Sequence, residues 1–454
     1  RAVTIADFTF ISNTKTSPAM NTATAPATAR PAAHEALIWV RAANYGQTYT
    51  VNINGTQATV QTAVAPVVTS GSTVTENRIS SAEIAQNLIT GLGSISGVTL
   101  ARNGSVIHVT SNSAITISAT DARANADITA ILSQVQAFTE LPTIAPQGYQ
   151  VEITGDPGNN FDGYYVEFTP NSGTFGEGTW SETVSPGVEY QINNTTMPHL
   201  LVRLPNGNFH FGPADGSTQG GITIPSWGNR VAGDYITSPD PSFIGNPIND
   251  IFIYKNRLGF LADENVILSR VREFYEFFPE TVTTVLDTDP IDVVASNNRV
   301  SVLRYAVPYQ DELILFSPQY QFRFNAAETV LTPATAQITV LTQFEVDVDV
   351  RPQLAGGGIV FCQANGDFTQ FREFSVRGAG TALTADAQDL TGYVSAFVPS
   401  NVFKLTVNDT SNAVFALSGA TGHQDRIYVY KYFIRNAGQG AERAQSSWSY
   451  WELE

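Results

Sequence analysis

The sequence predicts a mainly β protein with a propeller-like body, additional β domains and one small α/β module (strand, strand, helix, strand, strand) near the N-terminus. Three observations predict it. Charged residues make up only 14% of the 454, well below the roughly 25% of an average soluble domain, which excludes coiled coils and charge-laced helical bundles. Gly (35) and Pro (23) are plentiful and punctuate short runs of Val, Thr, Tyr and Phe, the residues that fit a pleated, half-buried surface. Hydrophobic residues at 43% and aromatics at 11% are too many for a disordered chain, and the length fits about three domains of roughly 150 residues.

The elements follow in order. Thr14 to Ala33 is rich in Ala, Thr and Pro with few large apolar residues, so residues 1–35 read as an N-terminal arm or linker. From Ala36, ALIWVRAA and TYTVNING read as strands, with Asn54 and Gly55 turning a hairpin into ATVQTAVA. Ser80 or Ser81 then caps a helix, with Glu83 in its first turn, Ile84, Leu88 and Ile89 at helical spacing, and Gly91 at its end. VTLARNG and SVIHVTS, joined through Asn103 and Gly104, and then ITISATD complete a module placed at 36–145. After Pro146 the helical signal fades. YQVEITG, GYYVEFTP, GTWSETV and HLLVRLP are short strands of a β-rich region at 146–245. From 246 to 454 a strand, a short turn and a second strand recur about every fifty residues: LGFLADENVILSR, DELILFSPQYQFRF, GIVFCQANGDFTQFREF, and AVFALSG with RIYVYKYFIR. That spacing is in the range of propeller blades.

Charge divides the chain. Seven basic and seven acidic residues precede Pro146, and seventeen basic against thirty-four acidic follow it, so the net charge of -17 belongs to the later two thirds. The early module is therefore expected to be peripheral and to fold by itself. A pI near 4.7 is the wrong sign for gripping phosphates. With one cysteine, Cys362 in a strand-like run, no intrachain disulfide or Cys-rich zinc site can form, and a buried thiol is expected. No apolar run reaches the roughly 18 residues of a membrane helix, no signal-peptide pattern is present, and the opening at Arg1 in place of Met leads us to expect a start further upstream.

Several stretches resemble one family: NDIFIYKNRLGFLADENVILSR (Asn249 to Arg270), Phe274 to Phe324, TQFEVDVDVRP (Thr342 to Pro352) and QSSWSYWEL (Gln445 to Leu453) are similar to the tail nozzle, or tail tubular B, proteins of short-tailed bacteriophages. The resemblance implies a non-enzymatic structural subunit of the virion tail. It implies a homohexamer below the adaptor ring, in contact with tail fibres and the host cell surface, whose bore passes phage DNA without tight binding. It also implies a propeller-like body at 246–454 with nozzle tip loops, a platform domain at 146–245, and no cofactor. High net charge is expected to keep the isolated chain monomeric at low salt.

On that reading, the acidic clusters Asp287, Asp289 and Asp292 (DTDPID) and Asp347 and Asp349 (FEVDVDV) are candidate channel-lining residues. The first lacks the calcium-loop pattern and reads as a turn through Pro290; the second alternates with valines as the exposed side of a strand would. Arg257, Arg270 and Arg272 are candidates for pairing within and between subunits, with Asp263, Glu264 and Glu273 as their neighbours. The alternative function is a polysaccharide hydrolase or glycan-binding tail protein. It would need two carboxylates about 5 to 9.5 Å apart, for which Glu167, Glu177 and Glu182 near Trp180 and Tyr165 are the candidates. His34, His108, His199, His210 and His423 lack helical zinc spacing, and neither a G-x-S-x-G elbow nor a Walker loop occurs.

Overall fold

The computed structural model describes residues 1–22, 34–156, 163–296, 299–326, 330–377, 384–437 and 440–454. The chain is mainly β. Its body is a run of five four-stranded antiparallel sheets. The first contains Ala2–Ile5, Phe8–Ile11, His199–Arg203 and Phe209–Gly212. The second is Ile248–Tyr254, Arg257–Ala262, Asn265–Leu268 and Ile291–Val294. The third is Tyr305–Tyr309, Glu312–Phe316, Gln321–Ala326 and Ala336–Thr342. The fourth is Gln353–Ala355, Gly358–Asn365, Phe368–Arg377 and Thr384–Asp389, and the fifth Val402–Asn408, Ala413–Ser418, Arg426–Ala437 and Gly440–Glu452. The four recurring hairpins read in the sequence are the middle strands of sheets two to five.

Sheets two to four each bury one face against the preceding sheet and the other against the next. Phe10, Leu200 and Val202 of the first meet Ile251, Leu258 and Phe260 of the second. Leu261, Val266 and Leu268 then meet Leu313, Leu315 and Phe322 of the third. Ile314 and Phe316 meet Ile359 and Phe361 of the fourth, whose Val360 and Cys362 meet Val414, Ala416 and Tyr428 of the fifth. Successive side chains of a strand point to opposite faces, so a strand buried on both faces must be apolar throughout. LILF (Leu313–Phe316) and GIVFC (Gly358–Cys362) are continuous apolar runs for that reason, and each fully buried Phe or Leu contributes about 1.5–3 kcal/mol. Gly259 lies where a Cβ would come within 2.3 Å of the Phe252 ring.

The N-terminal residues differ from the expected arm. Val3, Ile5, Phe8 and Phe10 alternate inward, and the hairpin they form pairs with His199–Arg203, almost two hundred residues away. The linker reading of Thr14 to Ala33 lies outside the described residues from 23 onward.

Between these halves of the first sheet lie the helix and its strands. Five strands precede the helix and four follow it before residue 132, more than the expected strand, strand, helix, strand, strand order. The extra elements include an exposed hairpin, Val67–Ser70 with Thr73–Glu76. The helix, α1 (Ser81–Leu92), buries Ile84, Ala85, Leu88 and Leu92 and ends at Gly93 with φ 61°, not at Gly91. Gly91 instead lets the helix approach Ala58, 3.1 Å from where its Cβ would be. On the other side of the strand Glu35–Val40, Leu37 packs with Val106, Ile131, Tyr149, Val151 and Phe168. The strand Ile144–Pro146, which spans the expected boundary, pairs with Phe175–Thr183.

Candidate functional site

The acidic segment around Pro290 is a turn, as its sequence suggests. The main-chain N–H of Leu286 donates to Asp289 Oδ2 at 2.8 Å and that of Asp289 to the Leu286 oxygen at 3.0 Å. Asp289 is buried, while Asp287 and Asp292 are exposed. Asp292 is held by Asn265 Nδ2 at 2.8 Å and the Ser242 N–H at 2.7 Å. Inside the turn lies Arg257, 1% exposed. Its Nη1 donates to the main-chain oxygens of Ser269 at 2.7 Å and Asp289 at 2.5 Å, and its Nη2 to that of Asp287 at 2.9 Å. Burial pushes the guanidinium down to about 10, against the pull of Asp289, so it remains charged at neutral pH. The side chain of Arg257 thus donates to main-chain oxygens of its own chain, where pairing within and between subunits was expected.

The other two arginines divide. Arg270 pairs with Glu273 at 2.9 Å and with Glu280, both within the chain. Arg272 is exposed, with φ 63°. Beside Arg270 lies Glu276, whose carboxyl is raised chiefly by burial, opposed by Arg270 and reinforced by Glu273. Its Oε2 lies 1.8 Å from where a Cβ of Gly228 would be.

FEVDVDV is not a strand. It connects the third and fourth sheets as a turn: Asp347 N–H donates to the Cys362 oxygen at 2.8 Å, Val350 N–H to the Asp347 oxygen at 3.3 Å, and Asp349 N–H to Asp347 Oδ1 at 3.0 Å. Val346 and Val350 anchor it in two different cores, so the alternation read as a strand reflects two anchor points. Asp349 is exposed and Asp347 half-buried. Cys362 is fully buried, and burial pushes its thiol well up, with Asp347 adding to the effect.

The carboxylates considered for sugar cleavage do not converge. Glu167 pairs opposite Ser181 and Glu182 opposite Val166, which puts the two on opposite faces of their sheet. Glu177 shares a face with Glu167 but lies four residues along from its partner Ser181, roughly 13 Å at strand rise, beyond the spacing that cleavage requires. Glu182 instead accepts from the Val282 N–H at 3.0 Å and Thr283 Oγ1 at 3.1 Å, and Trp180 donates to the Pro142 oxygen at 2.7 Å. His108 contacts Glu35 of the neighbouring strand in its own sheet, His423 meets Tyr428 Oη at 2.8 Å, and His199 lies against Phe211. Among the described residues no group of three His, Cys, Asp or Glu side chains could hold a metal.

A cluster that the sequence reading missed lies where the first strands of the sheets meet. These strands lie side by side in chain order, and their starts bring together Arg1, Asn249, Asp250, Arg304, Tyr305 and Arg351. Asp250 and Tyr305 are fully buried. Arg351 pairs with Asp250 and donates to the Ala306 oxygen at 3.2 Å, while the Ala306 N–H donates to Asp250 Oδ2 at 3.0 Å. Arg1 Nη2 donates to Tyr305 Oη at 3.0 Å, and Tyr305 Oη to the Val348 oxygen at 2.6 Å. No motif announces this set, because its members are up to 350 residues apart in sequence.

The model of the family described as bacteriophage nozzle protein matches residues 1–454. Tail tubular protein gp12 of Escherichia phage T7 is 34% identical over 457 residues, covering 100% of this chain and 54% of that protein. The chain thus spans about half the length of this curated relative. Among solved structures, Hsv2 of Kluyveromyces lactis gives a TM-score of 0.28 at 10% identity, over 57% of this chain and 61% of that one. A quinonprotein alcohol dehydrogenase-like protein of Bacteroides thetaiotaomicron gives 0.24 at 10% identity, over 89% and 88%. Structural likenesses this low carry no argument.

Proposed function

The chain belongs to the bacteriophage nozzle protein family, and from that premise we propose that it is a structural, non-enzymatic subunit of the tail nozzle of a short-tailed phage virion. Six copies encircle the path of the exiting DNA, below an adaptor ring, with tail fibres around them and the host surface beyond. The observation that carries this reading is the family match over the whole chain.

The geometry supports it in two ways. Asp250 and Tyr305 are buried where the first strands meet, and we place the bore between copies. The net charge of -17 suits a wall that repels phosphates, with exposed Asp287, Asp292 and Asp349 as contributors. Arg272 is the member of its trio available to a neighbouring copy. We read sheets two to five as a propeller-like body, the region 146–245, whose strands His199–Arg203 and Phe209–Gly212 complete the first sheet, as a platform, and the helix-bearing module as peripheral to the bore. The hydrolase alternative is not favoured.

Tagging the chain and imaging labelled virions tests the assignment. The label is expected at the distal tail, in a ring of six. A label on the capsid, or virions that assemble and eject DNA without the chain, would overturn it.

A further inference from the structure

The first strands of sheets one to four begin in a knot of positive charge that the chain does not neutralise. Three guanidinium groups meet there: Arg1, exposed; Arg304, half-buried; and Arg351, with 35% of its side chain exposed. Arg1 and Arg351 both lie over Tyr305, 4.8 and 5.6 Å from the ring centroid. Arg1 and Arg304 share Asn249, the first donating from Nε to its main-chain oxygen at 3.3 Å, the second from Nη1 to its Oδ1 at 3.0 Å. Asp250 is the one carboxylate bonded to the group among the described residues. Asp347 and Asp349, in the turn that leads to Arg351, make no ion pair with it there.

Each guanidinium offers five N–H donors. In the whole group, five donors reach a protein acceptor among the described residues: two from Arg1, one from Arg304 and two from Arg351. Arg304 Nε is buried with no hydrogen-bond partner. A buried donor without a partner, as at Arg304 Nε, is costly, and of the chain's 41 acidic residues only Asp250 is bonded to the group among the described residues.

We propose that this cluster is a binding site for a phosphate-type oxyanion, held between Arg1, Arg304 and Arg351. Three forks and two uncompensated positive charges suit a phosphate, which carries up to two charges and several acceptor oxygens, better than a carboxylate with one charge and two oxygens. The phosphate is free or belongs to a nucleic-acid backbone; the chemistry is the same. The site is separate from the acidic wall proposed above and stands or falls without it.

The test uses the whole chain at low salt. Inorganic phosphate is titrated calorimetrically, a short DNA duplex by fluorescence anisotropy, and acetate serves as the carboxylate probe, against the parent and the variants Arg304→Gln, Arg304→Lys and Arg1→Gln. The proposal expects phosphate, the duplex or both to bind, about tenfold more weakly in each glutamine variant, with partial recovery in Arg304→Lys. Binding of phosphate alone identifies a free-ion site. Duplex binding whose salt slope falls by about one per arginine removed identifies a backbone site. Should Arg304→Gln fail to fold by circular dichroism, exposed Arg1 carries the same test. Acetate binding as tightly as phosphate, binding by neither probe, or glutamine variants indistinguishable from the parent would overturn the proposal.

Discussion

Arg257 donates to the main-chain oxygen of Asp289 at 2.5 Å, so a guanidinium from the second strand of the second sheet holds the acidic turn that leads into its fourth. Arg257→Leu should leave the oxygens of Ser269, Asp287 and Asp289 without that donor. At about 1–3 kcal/mol for each buried unsatisfied group, a loss of roughly 3 kcal/mol or more is expected, read from denaturant midpoints. Arg257→Lys should recover only part, because one ammonium cannot span the fork. A neutral outcome for Leu would contradict the pinning role.

Glu276 offers a pH test. Its carboxyl is raised above its ordinary 4.5 by burial, so the folded state holds the proton more tightly than the unfolded one. The stabilising contribution is present below the unfolded value and is lost as pH rises through the folded one. Glu276→Gln should therefore be more stable than the parent at pH 7, and the difference should shrink toward pH 4 and vanish below it. Thermal midpoints across that range measure it, and a variant less stable at pH 7 would reverse the sign.

Cys362 should resist a thiol reagent in the native chain and react fully once denaturant unfolds it, since its side chain lies between the fourth and fifth sheets and burial disfavours the thiolate. Fast native labelling would place it elsewhere.

Asp349 is the cleaner probe of the repulsive wall, because Asp347 Oδ1 is engaged by the Asp349 N–H whereas the Asp349 side chain is exposed. Asp349→Lys should slow genome delivery and leave particle assembly intact, as phosphate contacts add salt-dependent affinity. Unchanged delivery would remove this residue from the conduit.

The separable unit should be 35–183, not 36–145. Leu37, Val106 and Ile131 share a core with Tyr149, Val151 and Phe168, so a cut at 146 exposes that core. Expressed alone, the longer fragment should give a cooperative β-type melt and the shorter one should aggregate. Equal behaviour would return the boundary to residue 146.

Much of the local structure was legible because short-range chemistry decides it. Asn54 and Gly55, with φ 50° and 86°, take a turn that only such residues adopt readily. Pro290 marked the turn before Ile291–Val294, and the apolar spacing of Ile84 and Leu88 marked α1. The first three paired runs from Leu258 onward were readable as hairpins because their turns are two to four residues long and their strands carry buried apolar residues.

The sequence by itself determined that this is a mainly β chain, where its hairpins turn, and which family it resembles, since each rests on neighbouring residues or on a contiguous match. Only the tertiary structure decided that residues 2–11 complete a sheet with His199–Arg203, that Arg257 faces inward and that DVDV turns. It alone gathered Arg1 and Arg351 over Tyr305 and Arg304 onto Asn249 beside them. These depend on which distant strand supplies the partner, and a side chain such as Arg257 looks the same in sequence whether the acceptors it meets belong to water or to three main-chain oxygens folded over it.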